Sequence, residues 1–548
     1  MMQAFIAPLA ELAEYQEILQ KRRKEKGILQ IAGCVNSQKT HLMYALGDGF
    51  SYKIIVFSSE EKAQKAYEEY RFLDSGVLYY PARDLLFYHA DIKGNYLMKQ
   101  RMEVIRSMVT RQKNQEITVI TTMDAFLDGL SPAEEIVSKR IQISSGDTVD
   151  FTKLQERLSG LGYVREVQIE GPGQFAVRGG ILDIFPLTEE IPVRVELWGD
   201  EVDSIRTFDV ESQRSIENLQ EIEIYPAAEL QSQKKQSFLE YFPTEESILF
   251  LDEPQRLIEK ANEIEEEFQE SVRKREEAGL EETQELTVYP VLEILNRINQ
   301  FYGVAFTALE GKCRGLKIRE TDYIQTKGVN PYNNSFEMLT RDLKRLKRNQ
   351  YRVILLSGSR TRAKRLAEDL RDYDLSSFYS EDMDREVQPG EIMVAYGHVT
   401  QGYEYPMLKF MVISETDIFG RQKKKKRRKL YEGQKIQSFS ELKVGDYVVH
   451  ENHGLGIYQG IEKIEVDKIT KDYMKISYAG GSSLYILATQ LDLIQKYAGA
   501  DAKKPKLNKL GSNQWTKTKN QVRGAVRQIA RDLVELYAAR QQENGYQY

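Results

Sequence analysis

The sequence is poor in the residues that cross-link small secreted domains through disulfide bonds or that bind metals. Its 548 residues include only two cysteines, Cys34 and Cys313, together with two tryptophans and five histidines. Two cysteines this far apart provide neither a disulfide framework nor a zinc cluster, which indicates a reducing compartment. The composition therefore argues against redox and metal chemistry.

Long apolar runs and a basic excess are also missing. No stretch approaches the roughly 18 consecutive apolar residues that span a bilayer, and the first 20 residues lack the basic start and apolar core of a secretory signal. The 77 basic and 83 acidic residues give a net charge of -6, so the chain as a whole lacks the charge that drives non-specific binding to phosphates. We expect a cytoplasmic monomer with no membrane partner, in which any nucleic-acid contact is local.

One concentrated basic run is present at residues 421–429 (RQKKKKRRK). A like-charge block of this kind is usually a solvated, mobile segment. The alternatives are an arm close to DNA or a nuclear localisation signal, and the second fails if the protein is bacterial. The sequence suggests no specific role for residues 423–429.

The chain is long enough for about four domains. Residues 1–125 alternate β-branched runs with amphipathic stretches, which predicts βαβ units and a parallel sheet, with strands at residues 28–32, 53–58 and 117–122. Closely spaced strands with glycine and acidic turns then indicate a β-rich insertion at about residues 164–208. A buried strand at 248–251 and a charged helix at 254–285 return to the α/β pattern.

The second half of the chain predicts two further folded regions. A smaller α/β domain has strands at 352–356 and 391–396 and a helix at 361–373. Residues 440–498 read as a small barrel-like sheet with glycine turns. After a linker, five apolar residues form a helical stripe that has no segment to cover, so we expect the natural protein to continue beyond Tyr548; the stripe is Val522, Val526, Ile529, Leu533 and Leu536.

A nearly complete phosphate-binding loop follows the first predicted strand. Residues 33–40 (GCVNSQKT) match G-x-x-x-x-G-K-[ST] from Gly33 to Lys39 and Thr40, except that Gln38 replaces the second glycine. That glycine lets backbone N–H groups wrap a phosphate, and a side chain there crowds the anion. Asp252-Glu253, after an apolar run, occupies the place of a Walker B motif.

Two interpretations of this loop remain open. Either Gln38 is tolerated and the chain is a P-loop ATPase, or the loop is vestigial and the chain is not an enzyme. Hydrolysis of the helicase kind also needs a second lobe that supplies an arginine. The smaller α/β domain offers Arg360, Arg362 and Arg365 but no second G-K-[ST]. We favour the vestigial loop and assign no catalytic residue.

Other candidate sites are weaker. His450-Glu451-Asn452-His453 supplies only two metal ligands, and ordinary turn histidines explain it better. In the β-rich insertion, three arginines lie among aromatic residues, a composition typical of interface hot spots, although the aromatics could equally fill the sheet core. The residues concerned are Arg165, Arg178 and Arg194 with Tyr163, Phe175, Phe185 and Trp198.

Several motifs point to one family. Residues 173–186 (GQFAVRGGILDIFP), 199–206 (GDEVDSIR) and 212–215 (SQRS) closely resemble the UvrB-like module of bacterial transcription-repair coupling factors. Residues 251–254 (LDEP) and 413–421 (ISETDIFGR) look like later landmarks of the same family. The sequence from 444 to 458 is similar to its RNA polymerase interaction domain, which is shared with CarD-like proteins. The resemblance covers essentially the whole chain.

The resemblance implies a division of labour. The family recognises RNA polymerase stalled at a lesion, displaces it with an ATP- and Mg²⁺-dependent DNA translocase motor, and recruits UvrA for nucleotide excision repair. The motor lies C-terminal to the polymerase-binding domain, so this chain needs no cofactor, while DNA is a partner of the whole protein. UvrA contacts map onto Arg165 and Arg178 with Phe185 beside them, and the contact with the polymerase β subunit maps near Ile464.

The implied fold is multidomain α/β. It combines a degenerate RecA/P-loop-like domain that contains an inserted β-rich domain, a small α/β domain, and a CarD/Tudor-like β-barrel followed by a helix. The expected boundaries are 1–125 (domain 1a), 126–222 (UvrA-binding domain 2), 223–329 (domain 1b), 330–421 (domain 3), 422–439 (basic linker), 440–498 (polymerase interaction domain) and 499–548 (linker and connector helix).

Overall fold

The computed structural model describes most of the chain. The described residues are 2–82, 95–113, 115–210, 212–228, 230, 232, 234–277, 288–311, 313–420, 434–435, 442–450, 453–466, 469–487, 494–497, 505–510 and 515. The predicted basic run at 423–429 and the predicted helical stripe from Val522 lie outside them. Contacts divide the chain into two compact units, the first with residues 1–89 and 97–427 and the second with residues 90–96 and 428–548. Among the described helices, none combines the length and the apolar character required to cross a membrane.

The first part of the chain alternates helices and strands, as its β-branched runs predict. Its elements are α1 (Gln3–Ile6), α2 (Ala13–Lys21), β1 (Gly27–Ala32), α3 (Asn36–Leu46), β2 (Tyr52–Phe57), α4 (Glu60–Leu73), β3 (Leu78–Tyr80), α5 (Asn95–Val109), β4 (Ile117–Thr122), α6 (Met123–Leu127), β5 (Gly129–Leu130), α7 (Ala133–Lys139) and β6 (Ile141–Ser144). The strands predicted at 28–32, 53–58 and 117–122 are thus confirmed as β1, β2 and β4.

A strand-rich segment comes next, before the α/β pattern returns. Its elements are α8 (Phe151–Gly160), β7 (Val164–Arg165), β8 (Gln174–Arg178), β9 (Ile181–Phe185), β10 (Val193–Trp198), β11 (Glu201–Phe208), β12 (Ser215–Leu219), β13 (Glu221–Ile224), β14 (Gln236–Ser237), β15 (Ser247–Asp252), α9 (Pro254–Glu277), α10 (Val291–Ile298), β16 (Tyr302–Thr307) and β17 (Ile318–Tyr323). Residues 278–285 of the predicted helix lie outside the described residues.

The central sheet of the first unit has seven strands in the order β17-β1-β16-β15-β2-β4-β3, and all of its pairings are parallel. Strands β1, β2, β4 and β15 are buried along their whole length. Ile54 and Ile55 illustrate the reason, because alternate residues enter different hydrophobic clusters on the two faces. The carboxyl ends of β1 and β15 lie at one edge of this sheet, which brings the two predicted Walker segments together.

The β-rich insertion forms its own six-stranded sheet in the order β12-β11-β10-β9-β8-β7. One face packs on a core that includes Phe175, Leu182 and Val195 together with residues of α5 and α8. Helix α8 is capped by Asp150, which accepts hydrogen bonds from the amides of Thr152 and Lys153.

The smaller α/β region has a second six-stranded sheet in the order β18-β22-β23-β19-β21-β20. Its helices cover one face, while Ile354 and Met393 on the other face join the core of the first sheet. It therefore belongs to the same compact unit as the first sheet. Its elements are β18 (Lys327–Gly328), α11 (Phe336–Arg348), β19 (Arg352–Ser357), α12 (Arg360–Arg371), β20 (Ser377–Tyr379), β21 (Ile392–Tyr396), β22 (Tyr403–Tyr405), β23 (Phe410–Ile413) and α13 (Glu415–Phe419).

The second unit contains one antiparallel sheet in the order β24-β29-β25-β26-β27-β28. Its strands are β24 (Gln434–Lys435), β25 (Tyr447–His450), β26 (Gly454–Val466), β27 (Ile469–Ser477), β28 (Ser483–Leu487) and β29 (Ile494–Lys496). The segment predicted as a linker is partly docked on this sheet. The Leu455 amide donates to Asn508 Oδ1 at 2.7 Å, and the Asn508 amide donates to the Leu455 carbonyl at 3.0 Å.

Candidate functional site

The predicted phosphate-binding loop connects β1 to α3, but Gln38 fills it. The Gln38 side chain is fully buried, and its Oε1 accepts a hydrogen bond from the Val35 amide at 3.1 Å. In a working loop such amides point at the phosphate. Gly33 keeps the left-handed conformation that the loop needs, with φ of 83°. Gln38 therefore uses an N–H group that the motif otherwise reserves for the anion.

Lys39 is neutralised by the two carboxylates of the predicted Walker B segment. Its ammonium donates to Asp252 Oδ1 at 2.6 Å and to Glu253 Oε1 at 2.7 Å. Burial alone would lower the pKa of Lys39, but attraction to Asp252 and the hydrogen bonds that the ammonium donates to both carboxylates outweigh burial, so its pKa is raised. Lys62 lies 3.4 Å from the other oxygen of Asp252. The lysine charge is thus already matched within the protein.

Glu69 accepts hydrogen bonds from two hydroxyl groups at the start of α3. Its carboxylate accepts from Ser37 Oγ at 2.8 Å and from Thr40 Oγ1 at 3.1 Å. It also accepts from the Thr400 amide at 2.7 Å, in the loop between β21 and β22. The same loop donates from the Gln401 amide to Ser37 Oγ at 3.2 Å. One buried carboxylate therefore joins the start of α3 to the second sheet.

His41 adds a second contact between the two sheets. Its Nε2 lies 3.0 Å from the carbonyl oxygen of Phe5, which can only accept, so Nε2 carries the proton and Nδ1 accepts from the Tyr405 hydroxyl at 2.9 Å. The ring stacks on Tyr403 with centroids 5.2 Å apart. Burial lowers the pKa of His41 to about 4, and the bond to Phe5 opposes this only in part. His41 is a neutral structural residue.

These residues do not fit a nucleotide phosphate with Mg²⁺. A loop amide already donates a hydrogen bond to Gln38, and the ammonium of Lys39 is paired with two carboxylates. The Thr40 hydroxyl donates to Glu69. A phosphate would have to displace each of these internal partners. Sequence reasoning identified the loop but missed Glu69, because a glutamate on an acidic helix carries no distinguishing signal.

Two predicted binding arginines, Arg165 and Arg178, lie exposed at the β7 end of the inserted sheet. Arg165 pairs with Phe175 of β8, and Arg178 is three residues further along that strand, or about 10 Å. Arg178 Nη2 donates to the carbonyl oxygen of Val167 at 3.3 Å. The Val167 side chain is 89% exposed. Arg178 thus contacts the backbone of an exposed apolar residue that lies two positions after Arg165.

Phe185 requires a correction. We expected it beside the arginines as a contact residue, but its side chain is only 9% exposed. It packs with Ile169, Ala176 and Phe208 in a small cluster. The ring therefore supports the sheet and does not present a contact surface.

The other aromatic and basic residues of the insertion divide between core and surface. Tyr163 and Phe175 are buried, as the alternative interpretation held. Arg194 is not free, because it forms a two-pronged pair with Asp183 across β9 and β10, at 2.6 and 2.9 Å, and covers the Phe208 ring. Trp198, in contrast, is 85% exposed beside the turn after β10. The Gly199-Asp200 turn was the signal that could have marked it.

Ile464 lies in the outer half of the long strand β26. This strand pairs with β27 along nearly its whole length, including Ile464 opposite Lys471. Its pairing with β25 covers only residues 454–457. Among the described strands, residues 461–466 therefore have a partner on one side only. The Ile464 side chain lies outside the described part of the structure.

The histidines of the second unit lie at a strand end. His450 is buried at the end of β25, and its ring centroid is 4.7 Å from that of His453. Within the described residues, no group of three or more His, Cys, Asp or Glu side chains is arranged to hold a metal ion.

Comparison with known families matches both of the predicted binding regions. Residues 141–230 match the UvrB interaction domain, and residues 442–498 match the CarD-like/TRCF RID domain. These matches cover the inserted sheet and every strand except β24 of the second unit's sheet. The chain is thus a multidomain α/β protein that carries one domain of each kind.

Curated relatives agree with both matches. The transcription-repair-coupling factor of Bacillus subtilis is 30% identical over 94% of this chain and 49% of its own length. Those of Staphylococcus aureus and Staphylococcus haemolyticus are 29% and 28% identical over 87% of this chain and 46% of their own lengths. The chain is thus similar to transcription-repair-coupling factors along most of its own length, and it spans about half the length of the curated relatives it matches.

Proposed function

We propose that this chain is a non-catalytic adaptor in transcription-coupled nucleotide excision repair, which binds UvrA with one sheet and the RNA polymerase β subunit with another. The observation that carries this proposal is that the two family matches fall on separate compact units, residues 141–230 in the first and 442–498 in the second. In finer terms, the central sheet derives from a RecA/P-loop-like domain, and the second unit is a CarD/Tudor-like barrel.

The UvrA contact is assigned to the surface around Arg165 and Arg178. Exposed arginines contribute strongly to interfaces when they surround an apolar residue that becomes buried. Val167 provides that residue here, and its carbonyl already fixes the Arg178 guanidinium. Pre-ordering the arginine lowers the entropy that binding costs.

The polymerase contact is assigned to the outer half of β26. A strand edge without a partner can accept a strand from another protein, with side chains at alternate positions adding specificity. Residues 461–466 have such an edge among the described strands. Ile464 is the aliphatic residue that the family resemblance places in this contact.

The proposal includes no ATP hydrolysis by this chain. The internal partners of Lys39 and Thr40, together with Gln38 in the loop, support a vestigial P-loop. ATP and Mg²⁺ would then be bound by the translocase motor of the full-length protein, and that motor would move along DNA.

Binding measurements with immobilised chain test both surfaces. The Arg165→Ala/Arg178→Ala variant should bind UvrA at least about tenfold more weakly, since hot-spot arginines contribute about 1–2 kcal/mol or more each. A matched control, Lys153→Ala/Arg157→Ala, removes two exposed charges from α8 of the same module and should bind normally. Ile464→Asp should reduce binding to the β subunit and leave UvrA binding intact. Equal binding of all variants to both partners would contradict the proposal.

A further inference from the structure

Helices α11 and α12 cover the same face of the second sheet. Their apolar residues enter one buried cluster with Val353 and Leu355 of β19. The opposite face of that sheet packs against the first sheet. Since both helices bury their apolar sides against one sheet face, their polar sides face solvent together. The buried helix residues are Leu339, Leu343, Leu346, Ala363, Leu366, Ala367 and Leu370.

The polar sides of these helices are strongly basic. Each helix carries five basic and two acidic residues, although the whole chain has a net charge of -6. We call this surface the α11–α12 basic face; its basic residues are Arg341, Lys344, Arg345, Lys347 and Arg348 of α11, and Arg360, Arg362, Lys364, Arg365 and Arg371 of α12.

Four cations form a stripe along α11. Arg341, Lys344, Arg345 and Arg348 recur at intervals of three and four residues, which places them on one side of the helix over about 10 Å. Within the described residues, only Arg345 of these four has an ion pair, with Asp342 at 3.4 Å. The other three have no ion-pair partner in the part of the chain that the structure describes.

Two exposed cations of α12, Lys364 and Arg365, are weakly held, whereas Arg362 is paired with Glu415. Lys364 lies 3.7 Å from Glu381, and Arg365 lies 4.0 Å from Asp369 with 80% of its side chain exposed. Ion pairs of this length and exposure contribute little and are easily exchanged. These cations remain available to an external anion.

We propose that the α11–α12 basic face binds the phosphate backbone of a nucleic-acid duplex. A protein partner is disfavoured because protein interfaces have an apolar centre and are depleted in lysine, whereas the stripe is charged except for Met338 at its first turn. Phosphate contacts, in contrast, are made by rows of lysine and arginine. This contact is independent of the UvrA and polymerase surfaces.

Salt-dependent binding to a labelled DNA duplex tests the proposal. Fluorescence anisotropy should show binding by the whole chain whose logarithmic salt dependence becomes shallower by roughly 2–3 in the triple variant Arg341→Gln/Lys344→Gln/Arg348→Gln, because each lost phosphate contact removes about 0.9. At 50 mM salt the variant should bind about tenfold more weakly or worse. Its melting temperature should stay within about 2 °C of the wild type, since the changes are on the surface.

A matched control separates this face from the basic run. Lys423→Gln/Lys424→Gln/Lys425→Gln removes the same charge elsewhere and should retain the wild-type salt slope. If only this control loses binding, or if the α11 variant binds like the wild type, the proposal is overturned. No wild-type binding at 50 mM salt would also overturn it. Equal losses on duplex DNA and duplex RNA support a backbone contact, and a loss confined to single strands contradicts the duplex assignment.

Discussion

Ser37 and Glu69 are joined by a hydrogen bond of 2.8 Å from Oγ to Oε1, at the start of α3, where a P-loop protein holds phosphate. The same carboxylate receives the Thr40 hydroxyl and, from the second sheet, the Thr400 amide. An internal anion therefore satisfies donors from two layers of the first unit.

Replacing Glu69 should destabilise the first unit. Glu69→Ala leaves the donors of Ser37, Thr40 and Thr400 without their buried acceptor, and we expect a loss of about 2–4 kcal/mol in urea unfolding followed by circular dichroism. Glu69→Gln keeps one acceptor oxygen and should lose less. The matched control Glu68→Ala, at the exposed neighbouring position, should stay within about 0.5 kcal/mol. Equal midpoints for Glu69→Ala and Glu68→Ala would refute this role.

Nucleotide should not stabilise this chain. A ligand at 100 times its dissociation constant adds about 2.7 kcal/mol, so binding of ATP with Mg²⁺ would raise the melting temperature measurably. We expect no shift for the wild type and none for Gln38→Gly, because the partners of Lys39 and Thr40 remain in place. A clear shift in the wild type would favour the P-loop ATPase interpretation instead.

Lys39 should matter for stability. Lys39→Met leaves the carboxylate of Glu253 without its cation and that of Asp252 with only the longer pair to Lys62, and we expect a cost of about 3 kcal/mol. The triple variant Lys39→Met/Asp252→Asn/Glu253→Gln removes all three charges together and should recover most of that loss. Chemical unfolding measures both, and a single variant as stable as the wild type would show that the ion pair is dispensable.

The lowered pKa of His41 predicts that the folded state loses stability in mild acid. The pKa of His41 falls to about 4 on folding, so between pH 6.5 and 4 the unfolded chain binds a proton that the folded chain does not. Its contribution is complete above pH 6.5 and is lost as the pH falls, by roughly 2 kcal/mol between pH 7 and 5.

The pH experiment needs a difference measurement, because Asp124 acts in the opposite direction. Burial raises the pKa of Asp124 to about 6, so its contribution favours the folded state at low pH. Subtracting the pH profile of His41→Gln from that of the wild type cancels Asp124 and leaves His41. Parallel profiles for the two proteins would exclude His41 as the titrating group.

Much of the strand layout followed from the sequence. The β-branched runs of β1, β2, β4 and β15 were predictable because strands buried on both faces need nearly continuous apolar sequence. Strands β16 and β17 were not predicted. Their position beside β1 depends on long-range pairing that local patterns do not encode.

The site was predictable only in part, for similar reasons. Gln38 signalled a defective loop because one residue breaks a fixed spacing, but the occupancy of that loop depends on Glu69 and Thr400, which are 331 positions apart in the sequence. Phe185 and Trp198 both end strands of the inserted sheet, yet one is buried and the other exposed. The alternation of side chains along a strand identifies its two faces, but it does not show which neighbouring element covers each face.

The docking of Asn508 on Leu455 also has a mechanical meaning. Leu455 belongs to β26, the strand that contains Ile464, and the Asn508 carbonyl is also held by the Ala479 amide just beyond β27. Tension applied to the chain beyond residue 510 is therefore delivered first to β26 and to the end of β27. A force that acts on the chain from that direction would therefore reach, through direct hydrogen bonds of Asn508, the same strand that binds the polymerase in our proposal.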